Sequence, residues 1–211
     1  MKLDHLVVKP LFVNCYFLSD DEKNLVIFDP GGDEHLIIEK IESEGLKPQM
    51  IINTHGHFDH IGAVEALRKK YNIPFYLNSN DTFLLGQSRS HASLFGAEPT
   101  PVPTVDKNIS DGDVINFGGG TITALHTPGH TPGGMCYYIE PVNAVITGDS
   151  LFWEGVGRTD FPYGDHDQLI KSITEKVLTL DEETSVHPGH DEFSNVGWEK
   201  HNNPYLLRHN H

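Results

Sequence analysis

Three imidazoles and a carboxylate crowd into Thr54-His55-Gly56-His57-Phe58-Asp59-His60, directly after the apolar run Met50-Ile51-Ile52. Neutral imidazole nitrogens and carboxylate oxygens are ligands that zinc, iron and manganese all accept. The plain alternative is a polar turn with Asp59 capping a helix that starts near His60. A cap, however, requires one oxygen and no histidines. The stretch is read as part of a metal site.

A metal site must recruit further ligands, and the sequence offers them in a repeated form. Ile51-Ile52 leads to His55, Ala124-Leu125 leads through Thr127-Pro128-Gly129 to His130, Val145-Ile146 leads to Asp149, and Val186 leads through His187-Pro188-Gly189 to His190. Each apolar run ends in an imidazole or carboxylate beside Gly or Pro. Strand ends held in a rigid sheet suit this task, because ligand geometry has to be fixed closely. Taken singly, His130 and His190 read as turn histidines and Asp149 as a turn cap. In extended chain His55 and His57 project to one side, while Asp59 and His60 curve into the following helix. Two metals use that split: His55, His57 and His130 on one, and Asp59, His60 and His190 on the other. Asp149 bridges them, since a carboxylate has two oxygens to offer. Two divalent ions per chain are expected, Zn2+ first, with Fe or Mn as alternatives. His187 is the candidate to support a ligand from behind.

The elements that must position these residues are legible in outline. Leu6-Val7-Val8, Cys15 to Leu18 and Leu25 to Phe28 read as strands opening an antiparallel sheet, and Asp29-Pro30-Gly31-Gly32 closes the last one sharply. The pattern predicts a helix from Asp33 to Glu44 with Gly45 as C-cap. A strand from Met50 to Asn53, a helix from Ile61 to Tyr71 and a strand from Ile73 to Leu77 follow. From Asn78 to Thr104 the periodicity weakens, and Pro99, Pro101 and Pro103 mark an irregular connection, a lid or wall of the site. A second strand group comprises Val114 to Phe117, Thr121 to Leu125, Met135 to Ile139 and Ala144 to Thr147. A helix near Asp167 to Leu180 and a strand at Thr184 to Val186 complete it. Two strand runs, each followed by helices, predict sheets packed together with helices outside. Pattern alone leaves many such architectures open.

Composition bounds the rest. The chain has 211 residues and a formal charge of −15, with 30 acidic against 15 basic residues. A chain this long hides roughly 70% of its unfolded surface on folding, and one domain over 1-211 is expected. The charge argues against nucleic acid and anionic membranes, which require clustered Lys and Arg. Cys15 and Cys136 form no paired motif and read as small buried hydrophobes. No charged, apolar leader opens the sequence and no apolar run is long enough to span a bilayer, so the expected location is cytoplasmic. Of the 14 histidines, His209 and His211 at the tail are too sparse for a purification tag. Oligomeric state is not fixed by any of these features.

These residues together resemble the metallo-β-lactamase-fold hydrolases, and within them the short glyoxalase II-like (hydroxyacylglutathione hydrolase-like) group. The resemblance rests on Thr54 to His60, Thr127-Pro128-Gly129-His130-Thr131-Pro132-Gly133, Thr147-Gly148-Asp149 and His187-Pro188-Gly189-His190. Gly157-Arg158-Thr159-Asp160-Phe161-Pro162 and Asn203-Pro204-Tyr205-Leu206 extend it nearly to the C-terminus. It implies an α+β fold, a four-layer αββα sandwich with a metal site at one edge. In the Gly157 to Pro162 segment, Arg158 and Asp160 would scaffold the site; a hydrogen-bonded turn is the plain reading. Two departures stand out. Glyoxalase II proper carries an additional helical region that grips glutathione, whereas only Asp191 to His211 follows His190 here. Asp149 stands where the lactamases proper generally use another ligand set, which weighs against antibiotic hydrolysis.

The resemblance implies hydrolysis of a small-molecule thioester of the S-lactoylglutathione type. A metal-bridging hydroxide would attack the acyl carbon, with Asp59 orienting it as well as binding metal. No Ser or Cys nucleophile is needed. The nearest rival by resemblance is a persulfide dioxygenase using one iron on His55, His130 and Asp149. An RNA-processing nuclease of the same fold is disfavoured by the charge, and a non-catalytic metal-binding module would hold metal without turnover.

Overall fold

The computed structural model describes residues 1–207, so His209 and His211 lie outside the described residues. The chain divides into two compact units, Met1–Ile109 and Ser110–His211.

The first unit is built on six strands. β1 (Lys2–Val8), β2 (Val13–Ser19) and β3 (Asn24–Phe28) pair antiparallel, as short apolar runs joined by turns predict. The direction then changes. α1 (Glu34–Glu44) crosses over so that β4 (Lys47–Ile52) joins β3 in parallel, which only a long connection permits. α1 buries Ile37 and Ile41 and ends at Gly45, whose φ of 65° is left-handed as expected of that cap. The predicted helix from Ile61 to Tyr71 is two pieces, α2 (Phe58–Ile61) and α3 (Val64–Tyr71). The break has a steric cause. The Ala63 N–H donates to the Pro30 carbonyl at 2.9 Å, and a Cβ on Gly62 would lie 2.1 Å from the Gly31 oxygen. β5 (Phe75–Leu77) and β6 (Lys107–Asn108) continue the parallel half of the sheet.

Between β5 and β6 the expectation of irregular chain is corrected: Thr82–Leu94 forms α4, the longest helix among the described residues. Its buried positions are Leu84, Leu85, Ser88 and Ala92. Two of the four are small or polar, so the inward stripe does not register as an apolar period. The core of this unit joins Ile27, Ile51 and Phe75 of three neighbouring strands to Ile37 and Ile41 of α1 and Val64 and Leu67 of α3.

In the second unit β7 (Val114–Phe117), β8 (Gly120–His126), β9 (Met135–Ile139) and β10 (Ala144–Gly148) form an antiparallel meander. A separate small hairpin follows, β11 (Leu151–Phe152) with β12 (Gly155–Val156). α5 (His166–Ser172) is started by Asp165, whose carboxylate accepts the Gln168 N–H, and the predicted longer helix continues only as a π-helical turn over Ile173–Val177. β13 (Ser185–Pro188) then pairs with β10 in parallel, and β14 (Ser194–Asn195) closes the edge. α6 (Val196–Asn202) and α7 (Pro204–Leu207) finish the described chain. Val145, Val186 and Cys136 of the sheet pack with Leu169, Ile173 and Val177.

Cys15 and Cys136 are free and wholly buried. Burial pushes the Cys136 thiol up to about 11, so neither is available as a thiolate nucleophile at neutral pH. Among the described residues no helix is long and apolar enough to cross a membrane.

Candidate metal centre

Each unit assembles its own half of the expected ligand set, and all of it except His130, on the β8–β9 loop, leaves the carboxyl ends of one pair of parallel strands. In the first unit Phe28 of β3 lies beside Ile52 of β4, so Asp29 and the Asn53–His60 loop leave the sheet side by side. In the second, Gly148 of β10 lies beside Pro188 of β13, which brings Asp149 and His190 out together. Parallel neighbours end on the same side, and that crevice is where ligands bind in open α/β sheets.

The first-unit loop is held by carboxylates that the sequence reading did not assign. Asp29 is fully buried. Its carboxylate accepts the Thr54 N–H at 2.7 Å and the Thr54 hydroxyl at 2.6 Å, and His60 Nδ1–H donates to it at 3.1 Å. A carboxylate behind a histidine fixes the ring tautomer and leaves Nε2 as a lone pair. The same chain of bonds orients His55. With its proton given to Asp29, Thr54 Oγ1 accepts from His55 Nδ1 at 3.0 Å, and His55 Nε2 is left basic. That atom lies 3.0 Å from His57 Nδ1, a separation at which two nitrogens must share a proton or a cation. Asp59 Oδ2 and His60 Nε2 lie 3.8 Å apart. The backbone is fixed as firmly: Gly56 N–H donates to buried Asp81 at 3.0 Å, and Asn53 Nδ2 donates to the His60 carbonyl at 2.8 Å. Asp59 is not the N-cap of α2, which is His57.

The second-unit half is organised around one oxygen. Asp149 Oδ2 lies 3.6 Å from His130 Nε2 and 3.7 Å from His190 Nε2. His130 Nδ1 donates to the Arg158 carbonyl at 2.8 Å, so its Nε2 is also a lone pair. The loop carrying His130 demands glycine at position 129. There φ is +138°, and a Cβ would sit 2.4 Å from the Leu169 backbone nitrogen. The Arg158 guanidinium is spent on a two-point bond to Asp160, at 2.7 and 2.8 Å. It is the backbone oxygen of Arg158 that touches a ligand. His187 pairs its Nε2 with the Ser185 hydroxyl at 3.0 Å, and the carboxylate found behind a site histidine is Asp29.

The donor set fits divalent metal. His55, His57, Asp59, His60 and His130 are buried, and three imidazoles are locked with Nε2 basic by Thr54, Asp29 and the Arg158 carbonyl. Asp29→Ala strips both His60 Nδ1–H and Thr54 of their acceptor. Loss of such a partner typically costs about 10- to 100-fold in metal affinity, and a chelator-competition titration is expected to show a drop of that size.

A family model described as the metallo-beta-lactamase superfamily matches residues 8–190. The chain belongs to that superfamily and has its fold. Among curated relatives, the Probable metallo-hydrolase YqgX of Bacillus subtilis (strain 168) is 43% identical over 208 residues, covering 98% of both chains. The Hydroxyacylglutathione hydrolase GloC of Haemophilus influenzae is 36% identical over 213 residues, again covering 98% of both. Among solved structures, the BLEG-1 B3 metallo-beta-lactamase superposes with a TM-score of 0.91 at 38% identity, covering 97% of this chain and 99% of that one. TTHA1623 in a di-iron-bound form gives 0.88 at 34%, covering 96% and 100%. ETHE1 from Myxococcus xanthus gives 0.81 at 28%, covering 97% and 84%. The protein is thus a metallo-hydrolase-type member of the superfamily with His and Asp groups suited to a divalent metal.

Proposed function

We propose that the protein hydrolyses thioesters of the S-lactoylglutathione type, with the two half-sets acting as one binuclear centre in a single domain over 1-211. In that reading His55, His57 and His130 would hold one ion, Asp59, His60 and His190 would hold the other, and Asp149 would contribute to both. The observation that carries it is the completeness of both half-sets: Asp59 and His60 are both buried, and His60 is oriented as carefully as His55. A single-metal enzyme has no need to bury and orient that second pair.

When bound, divalent metal supplies an activated water and a Lewis acid for the acyl carbonyl. The chain's residues do the rest. Asp29 and Thr54 hold the rings of His60 and His55 by Nδ1 and leave Nε2 for the metal, Asp59 would orient the attacking water, and the burial of His55 and His60 excludes bulk solvent. The compact C-terminal tail does not argue against a glutathione carrier, because the relative named as a hydroxyacylglutathione hydrolase matches almost end to end. The di-iron-bound form of TTHA1623 supports two ions and favours iron beside zinc as the metal to look for.

Elemental analysis of freshly purified protein, paired with a hydrolysis assay on S-lactoylglutathione, tests the reading. Two ions per chain and hydrolysis are expected. One iron per chain, with oxygen consumed in the presence of a thiol persulfide and no thioester cleavage, would replace it with the dioxygenase reading.

A further inference from the structure

The small hairpin Leu151–Val156 is too short to be a structural sheet, yet it adjoins all three ligands of the second unit. It begins immediately after Asp149 and Ser150. Its return strand leads through Gly157 to Arg158, whose carbonyl accepts from His130 Nδ1. Phe152 lies with its ring centroid 6.4 Å from that of His190. At the base, the Gly157 N–H donates to the Ser150 carbonyl at 3.2 Å, and a Cβ at position 157 would stand 1.9 Å from the Asp149 backbone oxygen. Movement of the hairpin therefore moves the ligands.

Its tip is gripped by the C-terminal helices. Glu199, fully buried on α6, accepts the Glu154 N–H at 3.0 Å and Asn203 Nδ2–H at 2.8 Å through one oxygen, Oε2. Asn203, also fully buried, donates from the same Nδ2 to the Gly155 carbonyl at 3.1 Å. Trp198 Nε1 adds a bond to the Glu154 carboxylate at 3.1 Å. Glu154 itself sits at φ 53°, a conformation that non-glycine residues hold only when their surroundings enforce it. Burial raises the Glu199 carboxyl above its ordinary range. The Ser194 hydroxyl, Asn203 and the Glu154 N–H pull it part of the way back, and the Glu154 carboxylate raises it again. All of its hydrogen-bonding partners are neutral. Keeping a carboxyl buried on these terms costs stability, and a packed apolar residue at 199 could not take its place without removing the acceptor of the Glu154 N–H and of Asn203 Nδ2–H.

We infer that Glu199 and Asn203 are positioning residues of the metal centre, acting through the hairpin on Asp149 and on the His130–Arg158 bond. This rests on the metal-binding reading above. In this reading α6 and Asn203 have the task of aiming ligands.

Co2+ alone is the probe, titrated into metal-free protein and followed by its visible absorption, with thermal unfolding of the same samples as a parallel measurement. Glu199→Ala is expected to weaken Co2+ binding by about 10- to 100-fold, as loss of outer support does elsewhere, and to change the absorption band. Glu199→Gln is expected to restore both, because its amide oxygen can accept the same two N–H groups. Trp198→Phe, at an exposed position, is expected to weaken binding by about threefold, the low end of the net worth of one hydrogen bond because this one is open to water; it decides the matter should Glu199→Ala fail to fold. Folded variants that lose thermal stability but bind Co2+ with wild-type affinity and spectrum overturn the inference. Wild-type protein that binds no Co2+ overturns the metal-binding reading itself, and this inference with it.

Discussion

Asp149→Ala is expected to lose bound metal and thioester turnover together. Its Oδ2 lies between His130 Nε2 and His190 Nε2, at 3.6 and 3.7 Å. Without it, His130 and His190 lose the anion that lies between them. A metal's contribution to stabilising transition-state charge is several kcal/mol. At 1.36 kcal/mol per tenfold, the loss in turnover is at least about 1,000-fold. Folding is expected to survive. The turn around the residue is held by backbone, with Ser150 N–H donating to the Thr147 carbonyl at 3.0 Å, and the side chain is 13% exposed. Metal analysis after gel filtration and steady-state kinetics on one preparation check both halves. A folded Ala variant that keeps two ions and full activity removes Asp149 from the site.

The candidate ligands stand out in the sequence because each one sits beside chain that must be regular. Apolar runs at Ile51-Ile52, Val145-Ile146 and Val186 are strands, and glycine or proline marks where each strand ends. What supports the ligands was not legible. Asp29 reads as a turn residue, because its partners Thr54 and His60 are distant in sequence and meet it only through the parallel pairing of β3 with β4. Asp81 fixes Gly56 from the edge of α4, and α4 itself was hidden because it packs through Ser88 and Ala92. The Arg158 segment was noticed for its charges, yet its contact with His130 is made by a backbone carbonyl, which every residue type possesses. Side-chain chemistry leaves a trace in composition. Support from the main chain does not.

Gly31→Ala is expected to damage the Asp59–His60 pair more than any other single-methyl change in the first unit. Gly31 is not at a positive φ, so the argument is one of contact, not torsion. A Cβ there would lie 1.8 Å from the Asp59 backbone oxygen and 3.3 Å from Val13 Cβ. α2 spans only Phe58–Ile61 and cannot bend away. It must move as a body, taking Asp59 and His60 with it. His60 is at the same time tethered to Asp29 at 3.1 Å, two residues before the inserted methyl. Overpacking typically costs about 1–3 kcal/mol; with backbone as the obstacle, about 3 kcal/mol or more is expected. Two controls separate this from the ordinary cost of replacing glycine. Gly45→Ala meets open space but must hold φ 65°, and is expected to lose about 1–2 kcal/mol from that conformation alone. Gly86→Ala, inside α4 with nothing within 4 Å, is expected to gain up to about 1 kcal/mol from helix propensity. Urea unfolding ranks the three. Metal titration of Gly31→Ala is then expected to show one ion weakened far more than the other, since His55 and His57 precede α2 and keep their anchors on Thr54 and Asp81. Equal weakening of both ions, or stability matching Gly86→Ala, would mean that the Pro30-Gly31 turn does not set the position of Asp59 and His60.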